Sequence, residues 1–511
     1  MHGLSVRRKH WRRLPFLVVL LLTALLTGLA CSAAGSTETS LIGNARVSPD
    51  EAPASPEPSG STDATGSTAP TPGGANGSLS STELGMVYQF IVQRHVDQVD
   101  HRQLVEAAVL AVREAGLKSN ALPLDLAPTD LVPLPTGDPA EDWSAFARGY
   151  DVLVQKHPAW AAAARPDWAV LRKMLGTLSD DHSMFLEPAE VQRMGETNFT
   201  GVGVRVTRPS ADQPPYVVEV FNNSPAATAG VKAGDQILAV DGAATTGRSL
   251  PDVISTIRGT QGSRVTLSMV RGQQPSVDVQ ITRAPVESPR VEASVRGGVL
   301  GILRIRSFGE GVPEQVQQVL TQGRNRGVRA WIIDLRGNPG GSLEAMARVA
   351  TNFIEARPVG LAVDRSGQPE QIVAPGRATV PRFPFVVLVD GETAAGAELL
   401  ASAIKDYQIA PLVGVRTAGS VGLASPQPLS DGSAIQVTIR RLVSPSGTAI
   451  DKQGVQPDVP ADLTLGDLQR GEDPQLLRAI ELIVGAPGVP NAPGGPGVPS
   501  APTPPVRQVS Y

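Results

Sequence analysis

Two apolar runs of this chain end in glycine-rich loops, Asp334–Gly341 (DLRGNPGG) and Asp390–Glu398 (DGETAAGAE). Each apolar run reads as a buried strand, and each loop leads into a run with helical periodicity. Strand–loop–helix units build sheets covered by helices, and sites in such folds lie at the carboxyl ends of the strands. The charged residues there, Asp334, Arg336 and Glu398, read as strand-end and helix-cap partners. A third stretch, Thr200-Gly201-Val202-Gly203-Val204, is either a strand kinked by glycine or a turn whose amides stay open to an anion. Asp181-His182-Ser183 reads as a structural turn, and no histidine follows His182, so no Ser-His triad can form inside the C-terminal half. The sequence holds no phosphate-binding Gly-rich Lys loop, no H-E-x-x-H and no dinucleotide fingerprint. A single cysteine excludes a disulfide framework and a cysteine-based zinc site. No metal or other cofactor is expected.

Whatever chemistry these loops do must be positioned by a chain of 511 residues, with 52 glycines, 45 prolines and 41% hydrophobic residues. That is too long for one small domain and apolar enough for two or three cores. The formal net charge of −4 gives no surplus of Lys and Arg, so nucleic acid is not expected as a partner. Arg7, Arg8, Lys9, Arg12 and Arg13 precede an apolar run from Leu14 to Ala30, which reads as a secretory signal. Cys31 sits where cleavage would fall. The pattern resembles a bacterial lipoprotein signal, although Gly28 stands where that signal usually has Leu. The resemblance implies lipidation at Cys31 and a membrane-anchored protein facing the periplasm or cell exterior. Removing the five basic residues takes the formal net charge from −4 to −9.

Residues 1–31 are thus the signal, and 32–80, rich in Ser, Thr, Gly, Pro and Ala, read as a disordered linker. Residues 485–511 read as a disordered Pro/Gly tail. Between them, 81–195 reads as a mostly helical region, with a proline-broken stretch over about 118–168. Residues 196–285 alternate as strands around AGVKAGDQILAVDG and a short helix, SLPDVISTIRG. That running order is similar to a PDZ domain. In such a domain a peptide adds as a strand, and its terminal carboxylate meets backbone amides of a glycine turn. The resemblance makes Gly201, Val202, Gly203 and Val204 the candidate carboxylate loop. Val253 and Ile257 on the helix line the side-chain pocket or belong to the core.

Residues 286–470 read as an α/β body, and its motifs resemble those of the S41 serine peptidases, the C-terminal processing proteases. DLRGNPGG resembles their D-L-R-x-N-P-G-G, SDDHSMFLEP their L-D-P-H-S-x-Y-L, and LVSPSGTAIDKQGVQPDV their T-P-S-G segment. The fold expected is a multidomain α/β (α+β) protein with an N-terminal helical region, a PDZ domain and an S41-like (ClpP/crotonase-like) core. The family implies acyl transfer by a serine activated by a lysine, with an oxyanion held by amides. Here the nucleophile position is Ala395, the lysine position is Ser420, and a glutamine found in many members matches Ala424. Gly340, Gly341 and Gly396 match the oxyanion donors. Ser402 lies two helical turns beyond Ala395 and is expected to point away from the strand end. Lys405 and Lys452 match no catalytic position, and His182 matches the base of the tricorn-like branch. The sequence therefore predicts a protein that binds the C-termini of unfolded or tail-exposed proteins without an intact catalytic set. Two alternatives stay open: a peptidase with a relocated nucleophile, and a structural envelope lipoprotein.

Overall fold

A computed structural model describes residues 39–40, 77–119, 137–193, 198–208, 210, 212–377 and 383–484. Cys31, the rest of the signal, most of the linker and the C-terminal tail lie outside the described residues. The elements in chain order are β1 (Thr39–Ser40), α1 (Ser81–Arg94), α2 (His101–Ser119), α3 (Pro139–Lys156), α4 (Pro158–Ala164), α5 (Pro166–Leu175), β2 (Met184–Leu186) and α6 (Pro188–Arg193). There follow β3 (Asn198–Gly201), β4 (Val204–Thr207), β5 (Tyr216–Val220), α7 (Pro225–Thr228), β6 (Asp235–Val240), β7 (Ala243–Ala244), α8 (Leu250–Ile257), β8 (Arg264–Arg271) and β9 (Val277–Thr282). The last part holds β10 (Ala284–Glu287), β11 (Val291–Arg296), β12 (Leu300–Ile305), α9 (Val312–Asn325), β13 (Ala330–Asp334), α10 (Leu343–Ile354), β14 (Pro358–Val363), β15 (Pro369–Val373) and β16 (Phe385–Val389). It closes with α11 (Gly396–Asp406), β17 (Leu412–Gly414), β18 (Gly422–Pro428), β19 (Ala434–Val443), β20 (Val459–Pro460), α12 (Leu465–Arg470) and α13 (Pro474–Val484).

Within the stretch that reads as proline-broken, the described residues from 137 onward form helices. Pro139, Pro158 and Pro166 are each the first residue of one, where the missing N–H costs nothing and the fixed φ suits the helix. Asp138 caps α3 through the amides of Ala140 and Glu141. Tyr88, Phe146, Tyr150, Leu153 and Leu171 form the apolar core of this helical region, and Ile435 and Val437 of β19 enter the same cluster. Polar contacts add to that join. Asp180 accepts from His95 Nε2 (2.8 Å), Ser183 Oγ (2.8 Å) and Thr438 Oγ1 (2.6 Å). Burial pushes its carboxyl up, but these bonds and the His182 amide outweigh burial and hold it well below the usual carboxylate range. A depressed folded-state pKa gives stability that is complete above the unfolded value of about 3.9 and lost as the pH falls below it. Asp180→Ala is expected to remove that acid-labile part and cost about 3 kcal/mol at pH 7, read as a lower urea midpoint.

In the PDZ domain the strand order is β4-β5-β6-β8-β9, with β7 on β6, and β4 and β9 are the terminal strands. Its core holds Val204, Val206, Val217, Ile237, Val253, Leu267 and Ile281. β3 pairs with β10 and so brings the two ends of the domain together where it joins the body.

The body is built on the sheet β1-β11-β12-β13-β16-β17-β20. β12, β13, β16, β17 and β20 run parallel, which calls for cover on both faces. Trp331 and Ile333 face α9, α10 and α11, while Ala330 and Ile332 face Ala479 and Ile483 of α13. Residues 471–484, beyond the expected boundary at 470, are therefore part of this core. Gly301 and Gly323 flank the Trp331 ring, and a Cβ on either would come within 2.4 or 2.3 Å of it. A second sheet, β15-β14-β19-β18, carries β2 on β19. The run AIQVTIRRLV forms one ten-residue strand, β19, which pairs with β18, β14 and β2. Part of the expected linker is also paired: Thr39 and Ser40 lie antiparallel to Val295 and Ser294 at the sheet edge.

Candidate functional site

The two glycine-rich loops meet at the carboxyl ends of β13 and β16. Asp390 Oδ1 accepts from the Gly337 amide (2.9 Å), the Glu392 amide (3.0 Å) and Thr393 Oγ1 (3.1 Å). The Ala394 amide donates to Asn338 O at 2.8 Å. Asn338, fully buried, donates through Nδ2 to Ile305 O at 2.9 Å and so ties the first loop to β12. Arg336 forks onto both Asp334 oxygens and reaches Asp473, so these charged residues are partners at the strand end.

Ala395 stands at the apex of the turn from β16 into α11, at φ 48° and ψ −120°. A non-glycine residue pays about 1–3 kcal/mol to adopt such a conformation. Gly340, at φ +97°, packs against it, and a Cβ there would lie 2.6 Å from Ala395 Cβ and 3.0 Å from the Gly396 nitrogen. The Ala395 amide donates to Ser420 O at 2.9 Å, so the two positions that the resemblance pairs are neighbours in space. The apex thus has the sharp strand-to-helix geometry that exposes a nucleophile, but carries a methyl group.

Beneath the Ser420 loop lies Glu398, with no exposed surface. It accepts from Thr417 Oγ1, the Gly419 amide (2.7 Å) and the Ser420 amide (2.8 Å). Burial pushes its carboxyl above the usual range. The His182 ring packs on Gly422, where a Cβ would sit 2.3 Å from its Cδ2. Lys452 bonds to this loop through its amide, on Gly419 O at 2.7 Å, and its ammonium goes to Ser179 O at 2.9 Å. Lys405 Nζ reaches Gln456 O (2.6 Å) and Asp458 (3.0 Å). Ser402 is 4% exposed and donates to Leu399 O at 2.8 Å, away from the apex. Ala424 lies in β18 opposite Thr438.

Of the expected oxyanion donors, Gly340 is corrected: its amide is already held by Asn338 Oδ1 at 2.8 Å. The amides of Gly341 and Gly396 have no acceptor among the described residues. Gly396 is the first residue of α11, where an amide has no partner within the helix. Sequence reasoning missed the Asn338 bond, although an Asn two residues before a glycine is a signal for such a turn.

In the PDZ domain the chain breaks between β3 and β4 at Val202 and Gly203, whose amides have no acceptor among the described residues. Gly203 sits at φ +84°, and a Cβ would come within 2.2 Å of Ser224 Cβ. Gly203→Ala is expected to abolish peptide binding and lower the thermal midpoint by several degrees, both measurable on the full chain. Val253 and Ile257 are 0% and 2% exposed and pack with Val202 and Val204, so here they are core and not the lining of an open pocket. α8 is held at both ends. Arg208, at the end of β4, donates to the carbonyls of Thr245 and Arg248. Arg283 donates to Ile257 O and Thr256 O at 2.8 Å.

Comparison with known proteins matches peptidase family S41 over residues 299–461 and a PDZ domain over 216–271. The chain is 30% identical over 329 residues to the carboxyl-terminal-processing protease of Synechocystis sp., covering 62% of this chain and 77% of that one. It is 32% identical over 355 residues to the chloroplastic C-terminal processing peptidase of Tetradesmus obliquus, covering 63% and 76%. To the carboxy-terminal processing protease CtpA of Bacillus subtilis it is 29% identical over 296 residues, covering 57% of this chain but only 63%, less than two thirds, of that one. The solved photosystem II D1 C-terminal processing protease superposes with a TM-score of 0.50 at 27% identity, over 81% of this chain and 99% of that one.

Proposed function

The chain belongs to peptidase family S41, the family of the carboxyl-terminal processing proteases, and on that premise we propose that it is an exported member that captures protein C-termini without cleaving them. The observation that carries this reading is Ala395: the elbow of the family's nucleophile is kept at φ 48°, and the side chain at its apex has no hydroxyl. Ser420, at the position of the lysine, removes the base as well. Capture falls to the PDZ domain, whose buried Val202 and Gly203 amides have no acceptor among the described residues and would take a terminal carboxylate once that turn is uncovered. The peptide adds as a strand beside β4, the terminal strand next to that turn. Its last side chain is admitted when α8 shifts and opens the apolar cluster that Val253 and Ile257 share with Val204. Export and tethering follow from the signal and Cys31.

The experiment uses residues 32–511 and a loosely folded protein with an apolar C-terminus. The expected result is a substrate of unchanged mass after a day, no labelling by a hydroxyl-directed fluorophosphonate, and binding that is lost when the C-terminal carboxylate is amidated. Cleavage or labelling of the parent chain overturns the non-catalytic half of the proposal. Binding that is indifferent to amidation overturns the capture half.

A further inference from the structure

One end of the body carries a concentration of arginine that the site does not use. Arg324, in the last turn of α9, and Arg326 and Arg329, between α9 and β13, are all exposed. Arg296, at the end of β11, is half-buried. Backbone bonds bring the two turns together: the Val299 amide donates to Arg296 O, and the Arg329 amide to Val299 O. No acidic residue occurs between Gln315 and Ile333 or between Ala293 and Ser307, in a chain whose mature form is otherwise acidic. Arg324 and Arg329 have no ion pair among the described residues. A guanidinium cluster of this kind attracts a surface of negative charge.

A second observation gives the direction of that surface. β1 runs antiparallel to β11, with Thr39 opposite Val295 and Ser40 opposite Ser294. β1 therefore enters the sheet from the Arg296 side. Cys31 stands eight positions earlier, which limits its reach from Thr39 to about 29 Å. The amino ends of β12 and β13 point to this side, and the Ala395 elbow and the glycine-rich loops lie at their carboxyl ends.

We propose that the arginine end of the body, Arg296, Arg324, Arg326 and Arg329, lies on the anionic surface of a lipid bilayer, beside the anchor. Lipid and basic patch then form the two weak signals that together hold a protein on a membrane. The elbow and its loops face away from the bilayer, toward soluble chains. The placement beside an anchor rests on the export and lipidation reading; the affinity of the patch for anionic lipid does not.

The test uses the unlipidated chain 32–511, which contains no cysteine. It is floated with vesicles of phosphatidylcholine alone or with 30 mol% phosphatidylglycerol. Binding is expected only to the anionic vesicles, and weaker as salt is raised. Arg324→Gln/Arg326→Gln/Arg329→Gln is expected to lower it on the order of 100-fold. Lys156→Gln/Lys232→Gln/Arg264→Gln, which removes as much charge elsewhere, is expected to leave it within about 3-fold. Equal binding to neutral vesicles, or an equal loss in both variants, overturns the proposal. Circular dichroism checks that both variants are folded. Thr39→Cys/Val295→Cys is expected to form a cross-link under mild oxidation, and a pair that stays reduced overturns the placement of the anchor. Lipidation is read separately, by the mass of the membrane-bound protein and its loss in Cys31→Ser. A failed lipidation is thus told apart from a failed patch.

Discussion

Ala395→Ser/Ser420→Lys/Ala424→Gln is expected to cleave a loosely folded protein that the parent chain leaves intact. The elbow needs no rebuilding, because residue 395 already stands at φ 48° and ψ −120° with Gly340 packed against it. A hydroxyl at the apex projects from the same Cβ, beside the free Gly396 amide. Ser420 O accepts from the Ala395 amide at 2.9 Å, so a lysine at 420 starts from a neighbouring backbone. The glutamine at 424 supplies the polar partner that many family members carry. Loss of a nucleophile or its base typically costs 10³-fold or more, so the gain over the parent is expected to reach at least about 10³. Ala395→Ser alone is expected to stay near the background, since an unassisted hydroxyl is a weak nucleophile. The rate of the triple variant should rise with pH, because the new lysine acts as base only when neutral. The buried carboxyl of Glu398, which holds the Gly419 and Ser420 amides, favours the charged ammonium whenever it is ionised and so sets that rise higher. Peptide mass and fluorophosphonate labelling are the readouts. A triple variant that is folded but inert means the Gly341 and Gly396 amides do not hold an oxyanion. A parent chain that cleaves as fast means a nucleophile elsewhere, and Ser420→Ala in the parent is then the decisive variant.

What the sequence discloses about this site is local. DLRGNPGG and DGETAAGAE are contiguous, their glycines mark turns, and the missing hydroxyl is visible as a letter at 395. The PDZ order is legible for the same reason, since each strand and the helix are single runs. What is not legible depends on residues far apart in the chain. One exception is local: Asn338 stands two residues before Gly340 and signals the turn, but only the fold shows that its Oδ1 takes the Gly340 amide and removes it from the oxyanion donors. Val253 and Ile257 fit a pocket or a core equally well by spacing, and only the packing of Val202 and Val204 over them decides. Prolines were the most misleading signal. Pro139, Pro158 and Pro166 read as breakers because a mid-helix proline breaks a helix, yet each begins one. Residues 471–484 gave no reading, although Ala479 and Ile483 cover one face of the parallel sheet.

The joint between the PDZ domain and the body belongs to this second kind, and it leads to the other large expected effect. Glu219 on β5 faces Arg304 on the body's β12 and Arg306 just beyond its end, accepting from Arg304 Nη2 at 2.8 Å and Arg306 Nη2 at 3.0 Å. Arg205 approaches it at 3.4 Å and pairs with Glu392 in the elbow loop. Side chains of Arg306 and Arg205 are 3% and 8% exposed, and that of Glu219 is 16% exposed. Burial pushes the Glu219 carboxyl up, but Arg304, Arg306 and Arg205 outweigh burial and hold it well below the usual range. Removing one partner of a buried ion cluster leaves the others uncompensated, and this typically costs 3–5 kcal/mol. Glu219→Ala is therefore expected to destabilise the joint by about 4 kcal/mol and to lower the first melting transition of the full chain. Glu292, which also holds Arg306, keeps the loss from being larger. The pH dependence carries a sign. With its folded pKa depressed, Glu219 contributes fully above the unfolded value of about 4.3, and the contribution fades as the pH falls below it. The parent and the Glu219→Ala chain should then converge in stability on acidification and differ most at neutral pH. Small-angle scattering at pH 7 should show a larger radius of gyration for the variant, as the PDZ domain leaves the body. Equal melting and equal scattering for the two chains would mean that apolar contacts, not this ion cluster, hold the domain in place.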